Sequence, residues 1–125
     1  MLQLTTIIFL ISASVFATLH FISLELYLYW KYLWLDMPVH VLGGSIVALS
    51  VFTARDLRII KNTHIKLGPV IVFVLIVALF WEVFGIYVGK PIENDFIFDT
   101  VSDIGLGVMG GLIGYFIGTK ISALK

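Results

Sequence analysis

Three segments of the chain place ionisable side chains inside long apolar sequence. Asp36 and His40 are separated by one helical turn, as are Asp99 and Asp103, and Glu82 stands in a third segment. Carboxylate oxygens and an imidazole nitrogen bind Mg²⁺, Mn²⁺, Zn²⁺ or Fe²⁺, and these ligand types do not distinguish the ions. The spacing therefore predicts a divalent-metal site. Its predicted ligands are Asp36, His40, Asp99 and Asp103.

Glu82 is predicted to be catalytic rather than a ligand, because a carboxyl group removed from water is suited to general acid or base catalysis. Each of these residues also has a simpler interpretation. Asp36 and Asp99 could be solvated starts of helices near the membrane interface. Glu82 and Asp103 could be neutral, hydrogen-bonded carboxyl groups that hold helices together. His40 could be a packed histidine without a ligand.

Long apolar segments must position these residues. The chain is 60% hydrophobic and 13% charged, with a mean hydropathy of +1.08, whereas soluble domains are about 25% charged. A helix needs roughly 20 apolar residues to cross about 30 Å of hydrocarbon. The predicted spans are residues 4–30, 33–52, 67–88 and 96–118. The predicted fold class is all-α: a polytopic membrane protein with a single bundle of four transmembrane helices.

The basic residues predict an orientation. Those on one predicted side of the membrane are Arg55, Arg58, Lys61, Lys66, Lys120 and Lys125, and those on the other are Lys31 and Lys90. Lysine and arginine accumulate in the cytoplasmic loops of membrane proteins. We therefore predict that the N-terminus and the C-terminus both lie in the cytoplasm, and that the chain resides in a cell membrane.

The acidic residues gather at the opposite level. At 1.5 Å per residue, His40, Glu82 and Asp103 each lie about 9–10 Å inside the outer ends of their spans, and Glu25 lies about 8 Å inside. A charged side chain at the centre of a membrane helix costs at least about 2.5–3.5 kcal/mol. Protons, a bound cation, or Lys31 and Lys90 could compensate this cost, and a divalent metal in a shared pocket is the predicted compensation. The roles of Glu25 and of His20, which lies on nearly the opposite face of the same span, are not predicted.

Small residues share faces with these charges. Gly43 follows Asp36 and His40 on one helical stripe, and Gly107 follows Asp99 and Asp103 on another. Because small residues mark close helix packing in membranes, the charges are predicted to point into the bundle. The same stripe continues to the end of the fourth span, where it predicts tight packing within the bundle or a homo-oligomer contact. Its last glycines are Gly110, Gly114 and Gly118.

Several functional classes are disfavoured by the sequence. The formal net charge is zero, so there is no electrostatic argument for nucleic-acid binding. The chain has no cysteine, which excludes disulfides and thiolate metal sites. The sequence contains no Gly-x-Ser-x-Gly elbow, phosphate-binding loop, His-Glu-x-x-His motif or dinucleotide fingerprint.

The order of the motifs resembles a known family. Asp36-xxx-His40-xxx-Gly44, then Trp81-Glu82, then Asp99-Thr-x-x-Asp103 resembles the YjdF-type bacterial inner-membrane proteins, and more loosely the VanZ-like proteins. The resemblance covers about residues 33–118. It implies a small helical bundle in a bacterial inner membrane and supports the positions of the site residues. VanZ-like proteins are associated with glycopeptide resistance.

The sequence thus predicts a metal-dependent hydrolase or transferase in the membrane, acting on a lipid-linked or cell-envelope substrate. The bilayer itself is the predicted partner, and no nucleic acid is expected. Two alternatives stay open from the sequence. One is a cation or proton transporter that uses the same carboxylates. The other is a non-catalytic assembly subunit whose acidic residues only fix helix packing.

Overall fold

The computed structural model describes residues 2–87 and 95–124, and these residues are built from helices joined by short turns. The helices are α1 (Leu4–Glu25), α2 (Leu28–Lys31), α3 (Asp36–Asp56), α4 (Leu67–Tyr87) and α5 (Phe96–Ser122), with a 3₁₀ turn at Leu33–Leu35 before α3. Four of them are long and apolar enough to cross a membrane. The all-helical class and the four candidate spans are therefore confirmed. Val88, Lys90 and Lys125, which entered the predictions above, lie outside the described residues.

Proline positions agree with two helix starts. Pro38 and Pro69 are each the third residue of their helix, α3 and α4 respectively. An N–H group in the first turn of a helix has no partner within the helix, so proline is tolerated there. The two prolines thus allow the α3 and α4 helices to begin close to the predicted starts of their spans.

The first span is shorter than predicted. Its helix ends at Glu25 instead of residue 30, and the chain then turns at Tyr27, whose φ of 55° is left-handed. The short helix α2 follows the turn. In contrast, α3 and α5 continue to Asp56 and Ser122, each four residues beyond the predicted end.

The extra turns of α3 and α5 are stabilised by polar contacts between helix ends. Arg55 Nη2 donates a hydrogen bond to the Ser122 hydroxyl at 2.7 Å, and the Thr5 hydroxyl donates to the Asp56 carboxylate. These contacts bring the start of α1 together with the ends of α3 and α5. We call this part of the bundle, including the loop 57–66, the basic end.

The central packing of the bundle is the contact between α3 and α5. A Cβ atom added at Gly44 would lie 1.9 Å from the carbonyl oxygen of Gly107, and one added at Gly110 would lie 1.9 Å from that of Val41. The two backbones therefore touch directly. Ser45 adds a side-chain contact, since its hydroxyl lies 2.9 Å from the Gly110 carbonyl oxygen.

The glycines at the end of the fourth span are used inside the chain. Gly110, Gly114 and Gly118 are all buried. Cβ atoms at Gly114 and Gly118 would meet Ser45 and Phe52 of α3. The structure thus confirms that this stripe packs within the bundle, and the homo-oligomer contact stays a prediction.

α1 is attached more loosely than α5. It packs mainly on α3, and its buried residues are Thr5, Thr6 and Ser23, which lie near its two ends. The apolar core instead forms between α3, α4 and α5 toward the basic end, around Phe52, Val74 and Tyr115. A rigid pair of helices, α3 and α5, thus forms the base on which the other two long helices rest.

Candidate metal centre

Three side chains converge at the end of the bundle opposite the basic end. His40 Nε2 lies 3.3 Å from Asp36 Oδ1 and 3.4 Å from Asp103 Oδ2. Ligand atoms from all three residues lie within 4.8 Å of one another. Two ligands that are each about 2.1 Å from a metal in tetrahedral geometry are about 3.4 Å apart. The two separations from His40 are therefore close to the distance expected between ligands of a single ion.

The contact between α3 and α5 positions this group, which we call the Asp36–His40–Asp103 cluster. Asp36 and His40 are stacked on one face of α3, four residues apart. His40 lies one turn before Gly44, and Asp103 lies one turn before Gly107. Because Gly44 and Gly107 touch through their backbones, the side chains one turn away on each helix are held within reach of each other.

The three side chains of the cluster differ in their exposure to the surroundings. The Asp36 side chain is 42% exposed, that of His40 is 13% exposed, and that of Asp103 is 5% exposed. One side of the cluster is therefore buried between α3 and α5, and the other side is open. Catalytic zinc sites keep three protein ligands and an open position for water or substrate, and this arrangement has the same form.

Glu82 and Asp99 surround the cluster without joining its three converging atoms. Glu82, on α4, is only 5% exposed and interacts electrostatically with both His40 and Asp103. Asp99, half-buried in the first turn of α5, interacts electrostatically with Asp103. The structure thus brings together three of the four predicted ligands. The predicted catalytic residue, Glu82, is near them, and the fourth predicted ligand, Asp99, lies one turn before Asp103, toward the start of α5.

The structure adds two residues for which the sequence analysis predicted no role in the site. His20 Nδ1 is hydrogen-bonded to the Tyr29 hydroxyl at 2.7 Å, and Asp36 interacts electrostatically with both side chains. Burial raises the pKa of Tyr29, and the nearby charge of Asp36 raises it further. The turn at Tyr27 is what folds Tyr29 back toward α1, and no glycine or proline marks it in the sequence.

His20 also forms part of an aromatic group beside the cluster. Its ring stacks on Phe16 with centroids 5.8 Å apart and meets the edge of Trp81 at 5.5 Å. This group links α1 to α4 next to Glu82. Glu25, in contrast, is exposed at the end of α1, and His64 is exposed in the loop of the basic end.

Comparison of the chain with protein families, with characterised proteins and with solved structures gives no match. The resemblance to YjdF-type and VanZ-like proteins thus stays a prediction that depends on the short motifs around Asp36, Glu82 and Asp99.

Proposed function

We propose that this protein is a membrane-embedded, metal-dependent hydrolase or transferase that acts on a lipid-linked or cell-envelope substrate. The observation that carries the proposal is the convergence of two carboxylates on one imidazole nitrogen, with ligand atoms within 4.8 Å of one another. Charged groups are costly inside a membrane, and a divalent cation would neutralise the negative charge of the two carboxylates. The open side at Asp36 gives a substrate access to such an ion.

The chemistry follows from the types of residue present. A metal held by Asp36, His40 and Asp103 would polarise a phosphoryl or carbonyl oxygen of the substrate and activate a water molecule. In hydrolysis, the water oxygen forms a bond to phosphorus or carbon while the bond to the leaving group breaks. Glu82, which interacts electrostatically with His40 and Asp103, would accept the proton of the water and return it to the leaving group. Asp99 contributes negative charge one turn from Asp103 and favours a cation at the cluster.

The proposal includes an orientation. Six of the eight basic residues lie between residues 55 and 66 or from Lys120 onward, and such residues are typical of the cytoplasmic side. The N-terminus and C-terminus are then cytoplasmic, and the Asp36–His40–Asp103 cluster faces the outer leaflet of a bacterial inner membrane. Substrates assembled or exported at the outer leaflet could reach it without crossing the bilayer.

The surroundings of His40 favour a catalyst over a transporter. Below His40, toward the basic end, the neighbouring side chains include Val47, Val74 and Val77. Proton and ion pathways through membranes need successive polar groups or water. These apolar side chains argue against a continuous path from the cluster to the cytoplasmic side.

Metal analysis of purified protein tests the proposal. After incubation with Mg²⁺, Mn²⁺, Zn²⁺ and Fe²⁺ in separate samples, we expect a stoichiometric ion in the wild type and none in Asp103→Ala. Asp95→Ala is the matched control, because Asp95 is an exposed aspartate of the same segment, just before α5, outside the cluster. A wild type that binds none of the four ions would refute the metal site.

A second variant separates metal binding from catalysis. Glu82→Gln keeps the shape of the side chain but cannot accept a proton. We expect it to retain the metal and to lose turnover of lipid-linked phosphates or esters, followed by mass spectrometry of a bacterial lipid extract. Full turnover in Glu82→Gln would rule out Glu82 as the general base.

A further inference from the structure

An apolar cavity of about 180 Å³ lies next to the metal centre, between α1, α3, α4 and α5. Its lining includes Phe16, Gly43, Val47, Ala78 and Trp81, with His40 at one end. An apolar cavity of about 150 Å³ in another protein stays dry and binds benzene. This cavity is large enough for several carbon atoms of a hydrocarbon, and its apolar walls give water few partners.

The cavity is elongated along the helices. On α3 it extends from Val39, next to His40, to Val47, and on α4 from Trp81 to Val74. Each of these segments covers about 10–12 Å at 1.5 Å per residue. Since His40 belongs to the metal centre, the cavity begins at that centre and continues toward the middle of the bilayer.

The side of the cavity between α1 and α4 borders the lipid. Phe16 of α1 and Trp81 of α4 approach each other there, with ring centroids 6.5 Å apart. Trp81 is 40% exposed and Phe16 is half-buried, so both rings also have surface outside the bundle. In a membrane that outside is hydrocarbon, and two aromatic side chains are what separate it from the cavity.

We propose that this cavity binds the hydrocarbon chain of a membrane lipid, which enters between α1 and α4. The bound lipid would place its polar head at the Asp36–His40–Asp103 cluster and its chain along Val47 and Ala78. We choose a lipid as the occupant because the cavity is apolar along its length and meets ionisable groups at one end only. An amphiphile with one polar end has the same distribution.

The position of the head group rests on the proposed function, whereas the binding of the chain does not. If the proposed function is correct, the substrate is a lipid whose reactive phosphate or ester lies at the start of its chain. The substrate would then approach laterally from the bilayer. A water-soluble cell-envelope fragment would have no hydrocarbon chain to fill the cavity.

Photo-crosslinking tests the proposal directly. The full chain is placed in vesicles of phosphatidylethanolamine that contain a small fraction of phosphatidylglycerol with a diazirine in the middle of one acyl chain. After illumination, labelled positions are mapped by mass spectrometry. We expect label on the cavity residues Val47 and Ala78 at a level above that on Phe80, which is 74% exposed to the surroundings.

Two glycine variants provide the matched comparison. A Cβ at Gly43 would enter the cavity in ordinary contact with Phe16, 3.5 Å away, whereas a Cβ at Gly105 would have no atom within 4 Å. We expect Gly43→Leu to reduce labelling of the cavity by about fivefold or more, because leucine fills the volume that the chain would occupy. Gly105→Leu should leave the labelling unchanged. Ala78→Phe is a second filling variant if Gly43→Leu does not fold.

The outcomes separate this inference from the proposed function. Label at the cavity that disappears in the filling variants supports chain binding, even if the wild type binds no metal. Label no stronger at Val47 and Ala78 than at Phe80 overturns it, even if the metal is present. Unchanged labelling in both filling variants also overturns it.

Discussion

Substituting Gly44 with alanine is expected to destabilise the fold and to disturb the proposed metal site at the Asp36–His40–Asp103 cluster. The new Cβ would lie 1.9 Å from the Gly107 carbonyl oxygen and 2.7 Å from its carbon. Both atoms belong to backbone, so no side chain can rotate away. Cβ contacts below 3.0 Å are essentially never seen, and α3 and α5 must therefore separate by at least about 1.1 Å at this point, because helix cores are close-packed.

Gly43→Ala is the matched control, since its Cβ meets only Phe16, at 3.5 Å. Both variants gain the same helix propensity relative to glycine, so the difference between them isolates the cost of overpacking. Overpacking typically costs about 1–3 kcal/mol. We expect Gly44→Ala to be less stable than Gly43→Ala by that amount, measured as free energies of unfolding in detergent micelles titrated with dodecyl sulfate.

Gly44→Ala should also weaken metal binding, although Gly44 is not itself a predicted ligand. Asp103 lies one turn from Gly107, and its separation of 3.4 Å from His40 would increase to about 4.5 Å if the helices moved apart, outside the tolerance of about 0.2 Å that metal sites allow. We expect the Kd of the ion to rise at least about tenfold, a change of about 1.4 kcal/mol. Equal stability and equal metal affinity in the two alanine variants would show that the direct contact between backbones does not hold the site together.

Three further results are expected. Asp36→Asn should weaken metal binding by more than about 100-fold and Asp99→Asn by about 10–100-fold in calorimetric titrations, because the loss of an outer residue typically lowers metal affinity within that range; the reverse order would place Asp99 among the ligands. Tyr115→Phe should lower the free energy of unfolding by about 1–2 kcal/mol, because the Tyr115 hydroxyl donates a buried hydrogen bond of 3.0 Å to the Ile65 carbonyl; an unchanged value would contradict that bond. Burial raises the pKa of Tyr29, so the folded protein favours the neutral phenol. The stability that neutral Tyr29 contributes is therefore complete below the usual tyrosine pKa of about 10 and is lost as the pH rises above it. The absorbance difference between wild type and Tyr29→Phe should therefore titrate above pH 10, and a midpoint at or below that value would show that the phenol is solvated.

Much of the fold could be predicted because membrane helices follow from local sequence. The lengths of the apolar segments predict four spans, and a spacing of four residues puts Asp36 and His40 on one face whatever the rest of the chain does. The association of Asp103 with them follows from the glycine stripe, since Gly107 marks where α5 approaches another helix. That this other helix is α3, at Gly44, is visible only in the structure.

The remaining features depend on geometry that local sequence does not contain. Helices that cross diverge on either side of their contact, and Asp99 lies two turns from the Gly44–Gly107 contact while Asp103 lies one turn from it. Although Asp99 and Asp103 share one stripe of α5, only Asp103 therefore lies close enough to His40 to join the cluster. The turn at Tyr27 was also unpredictable, because a left-handed conformation is rare for a bulky residue, and the pairing of Tyr29 with His20 depends on that turn.

The way α1 is attached has a mechanical consequence. The buried residues of α1 lie near its two ends, at Thr5, Thr6 and Ser23, while the stretch around Phe16 between them carries no buried residue. A helix that is packed near both ends and not between them bends most easily near its middle. Bending of α1 would therefore move Phe16 away from Trp81 and open the proposed lipid cavity to the acyl chains, without disturbing the packing at either end of α1 or the α3–α5 pair that carries the Asp36–His40–Asp103 cluster.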